Sequence, residues 1–494
     1  MSNTRIARPP SAITVRAWIA GILIAFLAAA AWTSLHKGIW YDEVWSVFEV
    51  RHDLPLGRII IERWLRDIHP PAFYALSWLT EPLTGDGIFA RRALNLAPMA
   101  FAGAMLAGIG RKRADARGFL AVFAMLLLGA GPALTAIVDH RSNFSQLAAC
   151  AALAGVLYAI VTSGRDYARA DRWLLGLAGL SALAAFNFHY LGAFDSAALL
   201  GVFIVALALC GQRGWALRLA IVGAVAALPV AASFAVQHVV LADTARNFWA
   251  ATTGWEALAA YGSFLGAVLL ANLVASGVAL LRAVRPGDDA ERRFAWIAAV
   301  AVIVALVALF ALNAARPVIQ PRYLLAILPF ALAALAALAS GPVMRDRRLF
   351  AGVAATALAM IGLNGWISRG APNWDATAAF VGGEQRDCPD TAIHARPHWT
   401  MAGGQAFLLD NEAAVDRAGY ELEARRFATR LEPEGGARVS ARCPTLVWVT
   451  HAAPPPASGV LAVRAGLKLS PKSIGAARIF VGGSGYVAVF PPLI

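Results

Sequence analysis

Two adjacent carboxylates, Asp42 and Glu43, are the side chains whose types and spacing most directly indicate chemistry. They belong to the segment WYDEVWS (residues 40–46), so aromatic rings flank them on both sides. A carboxylate within hydrogen-bond reach of a hydroxyl can accept its proton as a general base, which typically contributes roughly 10²–10⁴ in rate. The alternative is an interfacial aromatic belt, in which the two acids are only solvated among lipid headgroups.

A basic stretch follows the acidic pair and is predicted to be helical. After it come the segment DIHPPAFY (residues 67–74) and then Arg91 and Arg92, which open the next apolar run. The cationic side chains of the stretch are Arg51, His52, Arg58, Arg63 and Arg66. Acids and cations therefore share one polar segment, about residues 37–88, between two apolar runs.

The elements that must position these residues are membrane-spanning helices. The chain has 494 residues, of which 59% are hydrophobic and 15% charged, and its mean hydropathy is +0.61. A soluble domain carries roughly 25% charged residues, so the composition excludes a soluble enzyme, a disordered tail protein, a collagen and a disulfide scaffold. Many apolar runs approach the 20 residues or so that a helix needs to cross hydrocarbon. The eleven predicted spans are 17–36, 89–110, 118–137, 145–163, 173–188, 190–210, 215–236, 257–281, 294–313, 323–341 and 349–367.

The positive charges indicate an orientation. Alternate junctions between spans are basic, for example around 111–117, 282–293 and 345–348, and nearly all of the net charge of +13 lies at such junctions. The positive-inside rule places them in the cytoplasm, with the N-terminus inside and the C-terminus outside. The surplus is therefore a topology signal and predicts no nucleic-acid partner. The first span is interpreted as an anchor, although small residues at 28–31 resemble the cleavage site of a signal peptide.

The sequence divides into a transmembrane catalytic domain, residues 1–367, and an extracytoplasmic C-terminal domain, residues 368–494. The first external loop, 37–88, carries the candidate active site. In the C-terminal domain, Pro and Gly cluster and short strand-like runs occur at 445–450, 478–481 and 486–490, with a hairpin turn between the last two. Its two cysteines, Cys388 and Cys443, are disulfide candidates in an oxidising periplasm, the alternative being two buried free thiols.

The order YDEVWS, then HPPAFY, then an arginine opening the second span resembles bacterial protein O-mannosyltransferase-like proteins. These belong to glycosyltransferase family 39 of the GT-C superfamily, which is related to the lipid A aminoarabinose transferase type. Weaker matches in the family's order are DHRSNFSQLA (139–148), FNFHYLGAF (186–194), QPRYLLAILPF (320–330) and NWDATAAF (373–380). The resemblance implies an all-α polytopic membrane protein of the GT-C type with about eleven transmembrane helices and a small C-terminal α/β domain.

The resemblance also implies an activity and roles for the acidic pair. Such an enzyme moves a hexosyl or pentosyl group from a polyprenyl-phosphate carrier to an acceptor hydroxyl on the extracytoplasmic face, with inversion. Asp42 matches the family's catalytic aspartate and is the expected general base, while Glu43 orients it or assists a bound cation. The sequence shows no full set of metal ligands, so dependence on a divalent cation is left open.

His69 occupies the position where the family places His or Lys before Pro-Pro. Cations there would meet the negative charge that develops on the leaving phosphate, although His69 is alternatively a helix-start residue before a turn set by Pro70 and Pro71. The further candidates for substrate or phosphate binding are Lys37, Tyr41, Arg92, Arg141, His189, Tyr190, Arg322 and Tyr323. Interfacial anchoring is the alternative for the last four. Asn143 stands where the family has a tyrosine, which weakens the role carried over to Arg141.

The predicted partners are a polyprenyl-phosphate-linked sugar donor, a glycan, lipid or protein acceptor, and the lipid bilayer of the bacterial inner membrane. A nucleotide-sugar donor is disfavoured, because the sequence has neither a P-loop nor a dinucleotide fingerprint. Two other classes remain: a transporter or flippase of lipid-linked sugars, and a non-catalytic protein of cell-envelope assembly. A transporter predicts ionisable residues deep in several spans.

Overall fold

The computed structural model describes residues 9–85, 87–163, 171–246, 254–283, 289–315, 320–370, 373–396, 412–433, 435–450 and 465–492. The chain folds as two compact units. The first comprises the described parts of Met1–Ser34, Trp64–Thr80 and Phe89–Ser368. The second comprises those of Leu35–Arg63, Glu81–Ile88 and Arg369–Ile494.

Helices dominate the described residues. In chain order they are α1 (Ala12–His36), α2 (Tyr41–Glu49), α3 (Leu56–Glu62), α4 (Ala72–Thr84), α5 (Ile88–Arg92), α6 (Leu96–Lys112), α7 (Arg117–Gly129), α8 (Gly131–Ile137), α9 (Ser142–Thr162), α10 (Arg172–Asn187), α11 (Tyr190–Leu209), α12 (Arg213–Arg246), α13 (Gly254–Leu269), α14 (Leu273–Ala283), α15 (Ala290–Ala315), α16 (Leu328–Arg345), α17 (Arg347–Ser368), α18 (Asp375–Asp387), α19 (Glu412–Arg426) and α20 (Pro471–Gly475). The strands are β1 (Ala392–Arg396), β2 (Thr445–Thr450), β3 (Arg478–Gly482) and β4 (Gly485–Phe490).

The helical bundle confirms the predicted fold class. Within the described residues, nine helical stretches are long and apolar enough to cross a membrane, and the bent pair α7–α8 is a tenth candidate. The remaining predicted span coincides with α10, a helix of 16 residues. Each of the eleven predicted spans therefore corresponds to a helix or to a pair of consecutive helices.

The span predicted at 118–137 is broken between α7 and α8, whose axes differ by 67°. Glycines flank the break and allow α17 to approach closely. A Cβ on Gly129 would lie 3.0 Å from the Cα of Ala357, and one on Gly131 would overlap the Asn364 amide. Pro132 in the first turn of α8 lacks the N–H that would continue the helix.

The core of the first unit lies around α9, whose apolar window is entirely buried within the protein. Alanines make up much of its middle, at Ala148, Ala149, Ala151, Ala152 and Ala154. Small side chains let helices pack closely in a membrane, where van der Waals contact rather than the hydrophobic effect drives association. The polar residues at the N-terminal end of α9 are consequently held on a well-packed element.

The C-terminal part of the second unit contains a four-stranded sheet in the order β1-β2-β4-β3. Strand β1 runs parallel to β2, whereas β2–β4 and β3–β4 are antiparallel. The predicted hairpin joins β3 to β4, and Gly483 supplies the positive φ of +59° that its turn requires. Apolar side chains cover both faces, with Trp448 and Val487 on one and Tyr486 on the other. The small C-terminal α/β element is thus confirmed.

Candidate active site

The acidic pair lies in the first turn of α2, within the second unit. A helix N-terminus favours negative charge, so both carboxylates are well placed on that helix. Glu43 is fully buried, whereas Asp42 is only partly buried. The Ser46 hydroxyl donates to the main-chain carbonyl of Asp42 over 3.2 Å. The two acids therefore differ in accessibility, and only Asp42 retains a partly exposed surface that a substrate hydroxyl could approach.

Apolar packing fixes α2. Val44, Trp45 and Phe48 form a buried cluster with Trp374, which lies directly before α18. A Cβ on Gly419 of α19 would overlap the Trp374 ring and would lie 2.9 Å from Val44. Glycine is thus required for this close approach, and the position of the acids along α2 depends on residues more than 300 positions away in sequence.

Arg63 holds the other end of α2. Its guanidinium lies 4.4 Å from the centre of the Phe48 ring and donates to the carbonyls of Phe48 and Arg51 over 3.0 and 3.3 Å. It also pairs with Asp53 over 2.7 Å. Burial tends to raise the pKa of Asp53, but the bond and charge of Arg63 outweigh it and leave that pKa below its ordinary value. In the sequence, Arg63 is only one cation among several in a basic stretch.

Two further predicted site residues accompany the acids in the second unit. Tyr41 begins α2, and its ring centre lies 6.2 Å from that of Trp45. Lys37 is 5% exposed, and its ammonium lies 5.8 Å from the centre of the Trp40 ring. The second unit thus combines the predicted base with a buried cation and several aromatic rings.

A second group of predicted site residues converges in the first unit. The Arg141 guanidinium donates to Nε2 of His69 over 3.2 Å. The rings of His69 and His189 are 5.4 Å apart, and those of His189 and Tyr323 are 5.2 Å apart. Arg141 and His189 are the N-cap residues of α9 and α11. Segments distant in sequence therefore bring two imidazoles, a guanidinium and a phenol together; we call His69, Arg141, His189 and Tyr323 the cationic cluster.

Asp67 orients His69 from behind. It is 2% exposed, and its carboxylate accepts a hydrogen bond from Nδ1 of His69 over 2.9 Å and another from the Tyr74 hydroxyl. Burial tends to raise the pKa of Asp67, but His69 and the hydrogen bonds outweigh it, so that pKa lies below its ordinary value. An ionised carboxylate keeps the proton on Nδ1 and turns Nε2 toward Arg141. Asp67 was not among the predicted site residues, although it stands two positions before His69.

His189 has the opposite tautomer from His69. Its Nδ1 accepts from the main-chain N–H of Leu191 over 3.2 Å, which places the proton of the neutral ring on Nε2. Burial, followed by the electrostatic effect of its neighbours, among them the Arg141 guanidinium, lowers the pKa of His189 well below its ordinary value. His189 can therefore offer an N–H to an anion without adding a second buried positive charge.

Gln237 of α12 secures the segment that carries His69. Its side-chain amide donates to the main-chain carbonyls of Trp64, Asp67 and His69 over 2.6, 2.8 and 3.2 Å. Its carbonyl accepts a hydrogen bond from the hydroxyl of Tyr190, a predicted site residue. Sequence reasoning missed Gln237; the available signal was a fully buried amide within a long apolar helix, since intramembrane polar residues are rare and costly.

Arg322 and Arg92 complete the predicted set in the first unit. The Arg322 guanidinium lies 5.5 Å from the Tyr323 ring centre, and with Asn143 and Gln146 it lines a small cavity beside the cationic cluster. Asn143, the departure from the family pattern, therefore borders this site. Arg92 is buried and donates to the carbonyl of Ser34 over 2.9 Å, which ties the start of the second span to α1.

The sequence left a divalent cation at the acidic pair and a disulfide in the C-terminal region as open questions. Among the described residues, no group of three or more His, Cys, Asp or Glu side chains is arranged to hold a metal ion. Cys388 and Cys443 are joined as a disulfide, with Cα atoms 5.7 Å apart. The bridge connects the end of α18 to the segment before β2.

An apolar groove of about 610 Å³ is lined by Pro70 and Pro71, the two residues that follow His69 in the sequence. Pro70 and Pro71 form one wall, and side chains of α6, α9, α10 and α12, among them Phe101 and Leu183, form the others. The cationic cluster and this groove both lie in the first unit. Their combination suits a ligand with an anionic head and a long apolar tail.

Comparisons with known proteins identify the fold. No protein-family model matches the sequence, and no curated protein matches it. The structure is similar to that of ArnT from Cupriavidus metallidurans bound to undecaprenyl phosphate, with 14% sequence identity, a TM-score of 0.52, and coverage of 97% of this chain and 98% of that one. The apo state of the same protein gives 15% identity, a TM-score of 0.50, and coverage of 95% and 98%. The chain therefore shares the overall fold of ArnT, which agrees with the predicted fold class of a polytopic helical protein with a small C-terminal domain.

Proposed function

We propose that this chain, which shares its fold with ArnT, is an integral membrane glycosyltransferase that uses a polyprenyl-phosphate-linked sugar as donor. The observation that carries the proposal is the presence, in the same unit, of the cationic cluster and of the apolar groove at Pro70 and Pro71, which follow His69 in the sequence. A phosphate fits the first and an isoprenoid chain the second. The solved ArnT structure contains undecaprenyl phosphate, which supports a ligand of this class.

The reaction proposed is a single displacement with inversion at the anomeric carbon. Asp42 accepts the proton of the acceptor hydroxyl while the acceptor oxygen bonds to the anomeric carbon. The bond from that carbon to the phosphate oxygen breaks, and its electron pair stays on the departing polyprenyl phosphate. Glu43, buried beside Asp42, orients the base.

The cationic cluster acts on the leaving group. Arg141 and the Nε2–H of His189 donate to the phosphate oxygens, and positively charged groups fixed in advance stabilise charge that grows in the transition state. Asp67 fixes the orientation of the His69 ring, and Nε2 of that ring in turn positions the Arg141 guanidinium for the phosphate. Lys37 and Arg322 are additional candidates for phosphate or sugar contacts.

The reaction is placed on the extracytoplasmic face of the inner membrane, with the N-terminus in the cytoplasm and the C-terminal domain outside. The basic junctions support this orientation. The acceptor belongs to the class of glycan, lipid or protein hydroxyls of the cell envelope. The protein as a whole is a multi-pass membrane protein, as its apolar helices require.

Substitution of the proposed base tests the function. Asp42→Asn removes the proton acceptor but keeps the size of the side chain, so we expect transfer to fall by roughly 10²-fold or more. The Asp42→Asn variant should still bind undecaprenyl phosphate, whereas the Arg141→Gln variant should bind it more weakly. The readout is mass spectrometry of envelope glycans in cells carrying wild-type or variant genes, with cells lacking the gene as reference. Wild-type glycan from Asp42→Asn would exclude the base assignment.

The flippase alternative makes a different prediction in the same experiment. A flippase would move lipid-linked sugar without Asp42, and its variants would accumulate donor on one leaflet instead of losing a transfer product. Asp195 of α11 is a fully buried acid within a span, as such a protein would require. An active Asp42→Asn together with an inactive Asp195→Asn would favour that alternative.

A further inference from the structure

A second apolar cavity, separate from the groove at Pro70, opens between α1, α6, α7 and α9. It has a volume of about 800 Å³ and is lined chiefly by small and apolar side chains, including Phe26, Leu106, Ala124 and Ala148. Helix α1 leaves room for it, since only 11% of its apolar window is buried within the protein. A Cβ on Gly103, which also lines the cavity, would meet no atom within 4 Å. The space is therefore large enough for a guest and open to the bilayer.

Three arginines line one end of this cavity and are its charged residues. They are Arg16 near the start of α1, Arg111 near the end of α6 and Arg117 at the start of α7. All three are exposed, and within the described part of the chain none pairs with a carboxylate. The nearby acid, Asp115, is held by Arg113 over 2.6 Å. As far as the described residues go, the cavity thus combines an apolar body with a positively charged mouth.

Arg117 is fixed at this mouth by a hydrogen bond. Its Nε donates to the main-chain carbonyl of Gly110 over 2.8 Å, which holds the guanidinium against the last turn of α6 near Arg111. A positive charge beside the C-terminus of a helix is also favoured by the helix dipole. The mouth is therefore built from two consecutive helices and the first turns of α1.

We infer that this cavity binds one anionic phospholipid of the surrounding membrane, with its phosphate at the three arginines and its acyl chains along α1, α6 and α9. Charge complementarity selects this occupant: a neutral apolar guest would bring no negative charge to the guanidinium groups, and a soluble anion would leave the apolar walls unoccupied. The lipid would fill the space that α1 leaves open and would link α1 to the bundle. This site does not depend on the glycosyltransferase proposal.

Native mass spectrometry of the full-length protein tests the inference. Purified protein is exchanged into micelles containing equal amounts of phosphatidylglycerol and phosphatidylcholine, and the lipid retained after detergent removal is measured. Wild type should retain one phosphatidylglycerol in preference to phosphatidylcholine. Replacing Arg16, Arg111 and Arg117 together by Gln should reduce that preference about tenfold or more. Gly103→Trp, which fills the cavity, should reduce the retention of both lipids.

A matched variant distinguishes the effect of the three cavity arginines from that of the protein's overall positive charge. Arg213, Arg347 and Arg348 are exposed arginines at other predicted cytoplasmic junctions and do not line the cavity. Their joint replacement by Gln removes the same charge and should leave the retained phosphatidylglycerol unchanged. Equal retention by wild type and the cavity-arginine variant, or an equal loss in the matched variant, would overturn the inference. Undecaprenyl-phosphate binding should remain in all variants, which distinguishes this site from the proposed donor site.

Discussion

At the scale of single residues, the main finding is that His69 acts within a chain of hydrogen bonds. Asp67 holds its Nδ1, and Arg141 lies at its Nε2. The sequence motif indicates His69 as a phosphate ligand, but the partner that decides which ring nitrogen faces Arg141 is visible only in the structure. Residue type and spacing can nominate a cation; they do not reveal the hydrogen bonds that set its tautomer.

Asp67→Asn should disrupt the hydrogen bonds that link Asp67, His69 and Arg141 without removing any cation. A carboxylate only accepts hydrogen bonds, whereas the amide of Asn can donate to Nδ1, which would move the ring proton to Nε2 and oppose the Arg141 guanidinium. We expect glycan transfer to fall by roughly 10²-fold, the usual effect of losing one preorganised donor. Affinity for undecaprenyl phosphate should change much less. We therefore expect kcat to fall while KM for the donor stays nearly constant.

Tyr74→Phe is the matched control for that prediction. It removes the other hydrogen bond to the Asp67 carboxylate but leaves the bond to His69 in place. Its loss of transfer should be several times smaller. If the two variants lost transfer equally, the role of Asp67 would be to support local packing and not to orient His69.

At the scale of elements, the eleven apolar runs predicted the helices well because each run is long and nearly uncharged. The break between α7 and α8 was not predicted, although Gly129, Gly131 and Pro132 are visible in the sequence. Their significance depends on the close approach of α17, which a single sequence does not disclose. The same limitation applies to β1, whose partner β2 lies about 50 residues further along the chain.

Helix α12 provides a prediction at this scale, since Gln237 joins it to the segment that carries His69. Gln237→Leu keeps a side chain of similar size but removes the amide that donates to the carbonyls of Trp64, Asp67 and His69. Each buried polar group left unsatisfied costs about 1–3 kcal/mol. We expect the affinity for undecaprenyl phosphate to fall about tenfold or more, as measured by the quenching of intrinsic tryptophan fluorescence in detergent.

The adjacent residue provides the control. His238 is exposed, and its Nδ1 is bonded to the carbonyl of Ala235 in its own helix. His238→Gln should therefore bind undecaprenyl phosphate like wild type. Unchanged affinity in Gln237→Leu would mean that the segment holds its conformation without α12.

At the scale of the whole molecule, segments that are separate in the sequence belong to one compact unit in the structure. The sequence predicts a first external loop, 37–88, and a separate domain, 368–494. Within the second compact unit, the structure packs Val44 and Phe48 of α2 against Trp374 and against Val415 of α19. The sequence segments that carry these apolar residues are short and irregular. No periodic pattern in them predicts that residues 300 positions apart pack together. The proposed base is therefore supported by a part of the chain that sequence reasoning assigned to another domain.

The orientation of the molecule can be tested with its own cysteines. Cys210 is exposed at the end of the predicted span 190–210, next to a predicted cytoplasmic junction; Cys150 is buried, and the remaining two cysteines form the disulfide. A membrane-impermeant maleimide should therefore leave the protein unlabelled in intact spheroplasts and label Cys210 after permeabilisation, because the basic junctions lie inside. In a Cys210→Ser background, Lys472→Cys places a thiol at an exposed position of α20, and it should react in intact spheroplasts. Labelling of Cys210 before permeabilisation, with Lys472→Cys protected, would reverse the orientation and move the proposed chemistry to the cytoplasmic face.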